Sequence, residues 1–372
     1  MSNKPPFQKT YPWTSAPIIA QAPMLNIAGP ELATAVSAAG GIGFVAGGND
    51  VSNLERKFQR AEQLIKDYKA AAAAEGNLPT NNSLQFYNGP NLPIGVGFLN
   101  WGADIKTALP LIIRYRPCAV WLFAPPNCAA DQVPWVEGIR AQTSGSVAIW
   151  AQVGSVEDAV DAVAKLHPDV LVVQGSDGGG HGLEKSASIV SLVPEVIDKL
   201  CEDGQGNMER LPRIVAAGGL VDGRGVAAAL VLGAEAVVMG TRFLASSEAG
   251  IQRGYQEAIL EASDGGVCTI RSTVYDRVRG FRSWPGKYSP RGIVNRTHTE
   301  LVAGKVSERE NYDLYQKALE QESPGYGANG RLATFAGTAV GLVREVLPAG
   351  EIVRGVRKET EAVLRVDRVA RL

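Results

Sequence analysis

Eight short apolar runs alternate with helical stretches along residues 17–262, and this alternation constrains the fold more than any other property of the chain. The runs are 17–21, 42–46, 93–98, 119–123, 147–152, 169–174, 213–217 and 236–240. Each is apolar nearly throughout, as expected of parallel strands covered on both faces. Between them lie segments with helical spacing at 30–39, 51–74, 103–115, 131–143, 156–166, 189–201 and 222–232, with 248–262 closing the series. Pro30 suits a first helical position and Gly40-Gly41 stops that helix. Strand then helix, eight times over, predicts an α/β fold, a TIM-type (β/α)8 barrel. Eight strands rather than six favour closure over the alternative, an open doubly wound sheet.

Residues 76–92, rich in Asn, Pro and Gly, read as an excursion loop. Residues 263–372 do not continue the alternation. They hold an aromatic-bearing stretch (Tyr275, Phe281, Trp284, Tyr288) and then helical segments at 312–321 and 338–345. The expected division is a barrel over 1–262 and an additional C-terminal helical cap over 263–372, laid across one mouth.

Composition removes several function classes. Lys+Arg is 37 against Asp+Glu 38, so no basic field is offered to nucleic acid or an anionic membrane. No apolar run approaches the length of a membrane span. The first residues lack the apolar core of a secretory signal, which points to the cytoplasm. The terminal Ala370-Arg371-Leu372 resembles a peroxisomal address. Four cysteines are scattered without a C-x-x-C pair, and His167, His181 and His298 show no metal-ligand spacing, so no metal is expected.

In a β/α barrel the loops after the strands form the active face. Ala217-Gly218-Gly219 and Gly240-Thr241 follow the seventh and eighth strands, where barrels commonly hold a phosphate on backbone N–H groups. There is no G-x-G-x-x-G after the first strand and no P-loop. The sixth strand runs into Gly175-Ser-Asp-Gly-Gly-Gly-His-Gly182, a loop nearly bare of side chains. A lone histidine is more often structural than catalytic. His181 gains from its place at a strand end across from the phosphate turns, and it is the candidate acid/base. Asp177 either orients the loop or is merely solvated.

The ordered set Ala22-Pro-Met24, Ala39-Gly-Gly-Ile-Gly43, Pro93-Ile-Gly-Val-Gly97, Gln152-Val-Gly154, Gln174-Gly-Ser-Asp-Gly-Gly-Gly-His181, Ala216-Ala-Gly-Gly-Leu220 and Met239-Gly-Thr-Arg-Phe243 resembles the nitronate monooxygenase family, especially its fungal members. The family motif usually carries Ala where this chain has Gly178. The resemblance implies a barrel binding FMN, with the flavin phosphate at the turns after the last two strands. It implies oxidation of alkyl nitronates, and of nitroalkanes, by O2 to a carbonyl compound and nitrite. His181 matches the catalytic histidine. Ala22, Pro23, Met24, Gln152, Gly218, Gly219, Gly240 and Thr241 match flavin-contacting positions. Gly180 and Ala217 join them as neighbours in the same motifs, and Asn100 by its place at the tip of the third strand. A reductase of the enoyl-thioester or quinone type, fed by NAD(P)H, is the alternative on the same scaffold.

Overall fold

The computed structural model describes residues 6–74, 83–85, 87–203, 211–320 and 325–365. The 76–92 loop is thus covered only in part, and Ala370-Arg371-Leu372 lies outside the described residues.

The barrel strands are β1 (Ile19–Gln21), β2 (Gly43–Gly48), β3 (Ile94–Leu99), β4 (Ala119–Phe123), β5 (Ala148–Val153) and β6 (Val170–Gln174). After β7 (Gly180–Leu183), which belongs to a second sheet, come β8 (Arg213–Ala217) and β9 (Ala236–Met239). The eight barrel strands are parallel in the order β1-β9-β8-β6-β5-β4-β3-β2. Gln21 N–H donates to Ile42 O and Ile42 N–H to Ile19 O, each at 3.0 Å, which joins the first strand to the segment leading into the second. The sheet closes, as the eightfold alternation predicts, and the open doubly wound alternative falls.

Side chains alternate along each strand. Trp121 and Trp150 pack inside with Phe44, Val172 and Val238, while Val120, Ile149 and Leu171 pack outward beneath the helices. The end of the barrel where the strands begin is filled from the N-terminus, by Phe7, Tyr11 and Trp13. Trp150 Nε1 donates to Tyr11 Oη at 2.8 Å, and the Arg213 guanidinium at the start of β8 lies 4.7 Å from the Phe7 ring centre. Among the described residues, the cavity opens at the end where the strands finish.

Local sequence explains the helix ends. Ser155 Oγ accepts from Asp158 N–H at 3.1 Å to start Val156–Leu166, and His167 ends it in the left-handed region. Asp222 accepts from the N–H groups of Arg224 and Gly225 to start Gly223–Val231. The closing helix departs from expectation. Ala349–Leu364 packs on the barrel wall between Gly223–Val231 and Pro30–Ala38, burying Ile352, Val353 and Val356. After the short helical turn Thr241–Leu244, the segment expected there, 248–262, is helical over Arg253–Glu261. This helix packs on Thr338–Leu342, because Tyr255 and Ile259 bury among Val340 and Val343 rather than against a strand.

A second difference concerns the glycine stretch. Its latter part is β7, which pairs antiparallel with β11 (Tyr288–Ile293), itself paired with β10 (Thr269–Arg271). His181 thus sits on a strand, opposite Pro290, and not in a bare loop. The pairing partner lies about a hundred residues away in sequence, so no local pattern marks this strand. No helix among the described residues is long and apolar enough to cross a membrane.

Candidate active site

The strand ends and the cap enclose one cavity of about 460 Å³. Ala22, Pro23 and Met24 enter it after β1, and Gln152 from the end of β5. Gly180 and His181 enter from β7, Ala217, Gly218 and Gly219 after β8, and Gly240 and Thr241 after β9. Asn100 does not line it. Its Oδ1 accepts from Gln132 Nε2 at 2.8 Å, and its Nδ2 is buried with no hydrogen-bond partner among the described residues.

The turn after β8 has the geometry its glycines promise. Gly218 and Gly219 have φ of 99° and 74°, in the left-handed region that favours glycine. A Cβ on Gly218 would lie 2.9 Å from Gly175 O, and one on Gly219 would lie 2.9 Å from Asp177 Cβ. Neither amide N–H donates to a backbone oxygen among the described residues. Gly240 is different: a Cβ there would meet nothing closer than Met24 Sδ at 3.8 Å, so its bareness leaves open space in the cavity. Thr241 Oγ1 accepts from Gly337 N–H at 3.0 Å, which ties the β9 turn to the cap.

The glycine loop before His181 is held from outside. Arg271, on β10, donates to the carbonyls of Ser176, Gly178 and Gly180 at 3.2, 3.0 and 3.3 Å, and also to that of Ser289. Burial, with Arg291 nearby, pushes its guanidinium down to about 10. Asp177 orients the loop: its Oδ1 accepts from Thr338 Oγ1 at 2.9 Å and its carbonyl from Thr338 N–H at 3.0 Å. Gln174 Nε2 reaches the His181 carbonyl at 3.4 Å.

The His181 side chain is 11% exposed. Its Nε2 lies 2.9 Å from Asp276 Oδ2. Trp284 stacks on the ring at 3.6 Å between centroids and 5° between planes, and Phe335 meets it edge-on at 6.0 Å. Burial lowers the imidazole below its ordinary value; the hydrogen bond and charge of Asp276 oppose this, and Arg279 and Arg271 add to it. Trp121 Nε1 donates to Gln152 Oε1 at 3.0 Å, and the Gln152 amide N–H groups have no hydrogen-bond partner among the described residues. The sequence reading missed Asp276, Arg271 and Trp284 as parts of this site. Trp284 stood among the aromatics of the cap stretch, but nothing in spacing connects any of the three to a histidine about a hundred residues earlier.

A closed parallel β/α barrel with a bare glycine turn and a buried histidine on one cavity defines a barrel enzyme. The comparisons specify it. The family described as "Nitronate monooxygenase" matches residues 128–359. Nitronate monooxygenase npaC of Metarhizium robertsii is 45% identical over 359 residues, 96% of this chain and 94% of that protein. A nitronate monooxygenase of Neurospora crassa is 39% identical over 365 residues, 94% of this chain and 91% of that one. The chain therefore belongs to the nitronate monooxygenase family of oxidoreductases, as its motifs foretold. Among solved structures, FabK from Thermotoga maritima aligns with a TM-score of 0.68 at 22% identity, covering 98% of each chain. Nitroalkane oxidase from Streptomyces ansochromogenes aligns at 0.65 and 21%, covering 95% of this chain and 97% of that one. These two likenesses speak for the fold alone.

Proposed function

We propose that this enzyme binds FMN non-covalently and oxidises alkyl nitronates with O2 to a carbonyl compound and nitrite, and that it accepts neutral nitroalkanes through His181 as base. The observation that carries the reading is the placement of a buried imidazole, its basicity lowered by burial, on the same cavity as the Gly218 and Gly219 turn. That turn fits an anionic phosphate: two unengaged N–H groups stand where a Cβ would have no room. The turns after β1 and β9, with Gln152 and Gly180, would hold the rest of the flavin. When bound, FMN supplies the oxidation, accepting electrons from the nitronate and passing them to O2.

The chain's own residues bind, orient and move a proton. Trp121 fixes the Gln152 carboxamide so that its N–H groups remain as donors toward the bound ligands. His181 accepts the proton from the α-carbon of a neutral nitroalkane, and a nitronate already charged needs no proton removed. Trp284, Phe335 and Phe281 cover the cavity from the 263–372 region, exclude water from the imidazole and set the room left for the substrate's alkyl group.

The purified protein should be yellow, release FMN on denaturation, and produce nitrite from a nitronate while consuming O2 without NAD(P)H. Rapid anaerobic bleaching by NAD(P)H with no nitrite from any nitronate would overturn this reading in favour of a reductase.

A further inference from the structure

We propose that Asp276 is a positioning residue for proton transfer: it holds His181 with its proton on Nε2 and leaves Nδ1 as the basic atom facing the cavity. This rests on the reading of His181 as the base. Asp276, on the helix Val274–Arg279, is 4% exposed, and among the described residues it forms no ion pair with any lysine or arginine. Its Oδ2 is 2.9 Å from His181 Nε2, and its Oδ1 is buried without a hydrogen-bond partner. A carboxylate can only accept, so the ring nitrogen facing it must carry the proton, which fixes the neutral tautomer. Nδ1 has no hydrogen-bond partner among the described residues and is not among the buried unpartnered atoms, so it is open to the cavity. The flat stack of Trp284 on one face holds the ring in that plane.

The arrangement also decides whether the ring can hold the proton it takes. The charged groups acting on His181 are Asp276 and Arg279 on one helix and Arg271 on β10. Burial and both arginines disfavour the imidazolium, and Asp276 alone favours it. In the transfer the substrate's α-C–H bond breaks and an N–H bond forms at Nδ1. The electron pair left on carbon delocalises into the nitro group, giving the nitronate. Asp276 accepts the Nε2–H hydrogen bond throughout, the part an acid plays beside the histidine of hydrolase triads.

The test pairs a spectroscopic readout with a kinetic one. The chain has three histidines, so 15N-histidine NMR, with His181→Gln for assignment, reads the tautomer in the wild-type protein without any turnover. A neutral Nε2–H tautomer is expected, and an Nδ1–H tautomer would overturn the proposal. In Asp276→Asn an amide offers an N–H as readily as an oxygen, so the Nε2–H tautomer should be lost or mixed. Turnover of a neutral nitroalkane should fall by about 100-fold or more, with turnover of the preformed nitronate within about threefold of wild type. Equal loss on both substrates, or no loss on either, would refute a positioning role. If the wild-type protein oxidises no nitronate, the functional reading fails, while the NMR arm still decides the role of Asp276.

Discussion

The indole of Trp284 lies flat on the imidazole of His181, 3.6 Å between centroids and 5° from parallel. The contact dries one face of the base and occupies space a substrate would otherwise fill. Burial holds this imidazole below its ordinary value, so it stays neutral to lower pH than an exposed histidine. For wild type, kcat/KM on a neutral nitroalkane should be flat at neutral pH and fall only below about pH 6.5. Trp284→Ala lets water reach the ring, which raises its basicity and moves the acidic limb to higher pH. Bulkier nitro compounds should gain on small ones in the same variant. A pH profile and a chain-length series check both.

Replacing the base separates two kinds of substrate. His181→Asn keeps a hydrogen-bonding group but cannot accept a proton usefully near neutral pH. Turnover of neutral nitroalkanes should drop about 10²–10⁴-fold, while turnover of preformed nitronates falls far less. The ratio of the two rates, taken on one preparation at one pH, is the measurement. Equal loss on both would remove His181 from proton transfer.

The barrel was legible in the sequence because each strand is a local apolar run and some of the helices between them open on a side-chain cap, as at Ser155 and Asp222. The backbone turn at Gly218 and Gly219 was legible because paired glycines after a strand suit the left-handed conformation that both adopt. Three parts of the fold were not, and neither were two side chains of the site. Phe7, Tyr11 and Trp13 fill the far mouth of the barrel, and only tertiary packing brings them to Trp150. Strand β7 depends on β11, and a run of glycines carries no period-two signal to announce it. Ala349–Leu364 is not among the helices read from the sequence, and nothing local says that this segment closes a ring begun by Pro30–Ala38. Asp276 and Arg271 were hidden for the same reason: their partners are contributed by another part of the chain.

Glycines in the cavity wall should differ in what they tolerate. At Gly218, alanine meets a φ of 99° and a carbonyl 2.9 Å from its methyl. The left-handed conformation alone costs about 1–2 kcal/mol, and the clash displaces the loop that leads to His181. Gly218→Ala should therefore lower the melting temperature of the flavin-free protein and weaken FMN binding together. Gly240 has an ordinary φ of −109° and open space around it. Gly240→Ala should leave the flavin-free protein as stable as wild type and weaken FMN alone, because its methyl would occupy ligand space. Thermal unfolding of the apo forms beside FMN fluorescence titration distinguishes the two.

Arg271 holds three carbonyls of the glycine loop with one planar fork, and lysine cannot reproduce that reach from a single nitrogen. Arg271→Lys should cost about 2–3 kcal/mol at neutral pH, since hydrogen bonds from a buried charge are lost and carbonyls are left unpaired. The variant should also acquire a pH dependence that the wild type lacks. Burial and the neighbouring Arg291 already push the guanidinium down to about 10, so an ammonium in that place, starting lower, is pushed toward neutrality. Its folded-state value then lies below its unfolded one, and the unfolded chain binds more protons between the two. Stability of the variant must rise with pH across that window. Urea unfolding at pH 7 and pH 9 should show the gap to wild type narrowing at the higher pH, whereas a gap independent of pH would mean that the lysine escapes to solvent and leaves the loop unsupported.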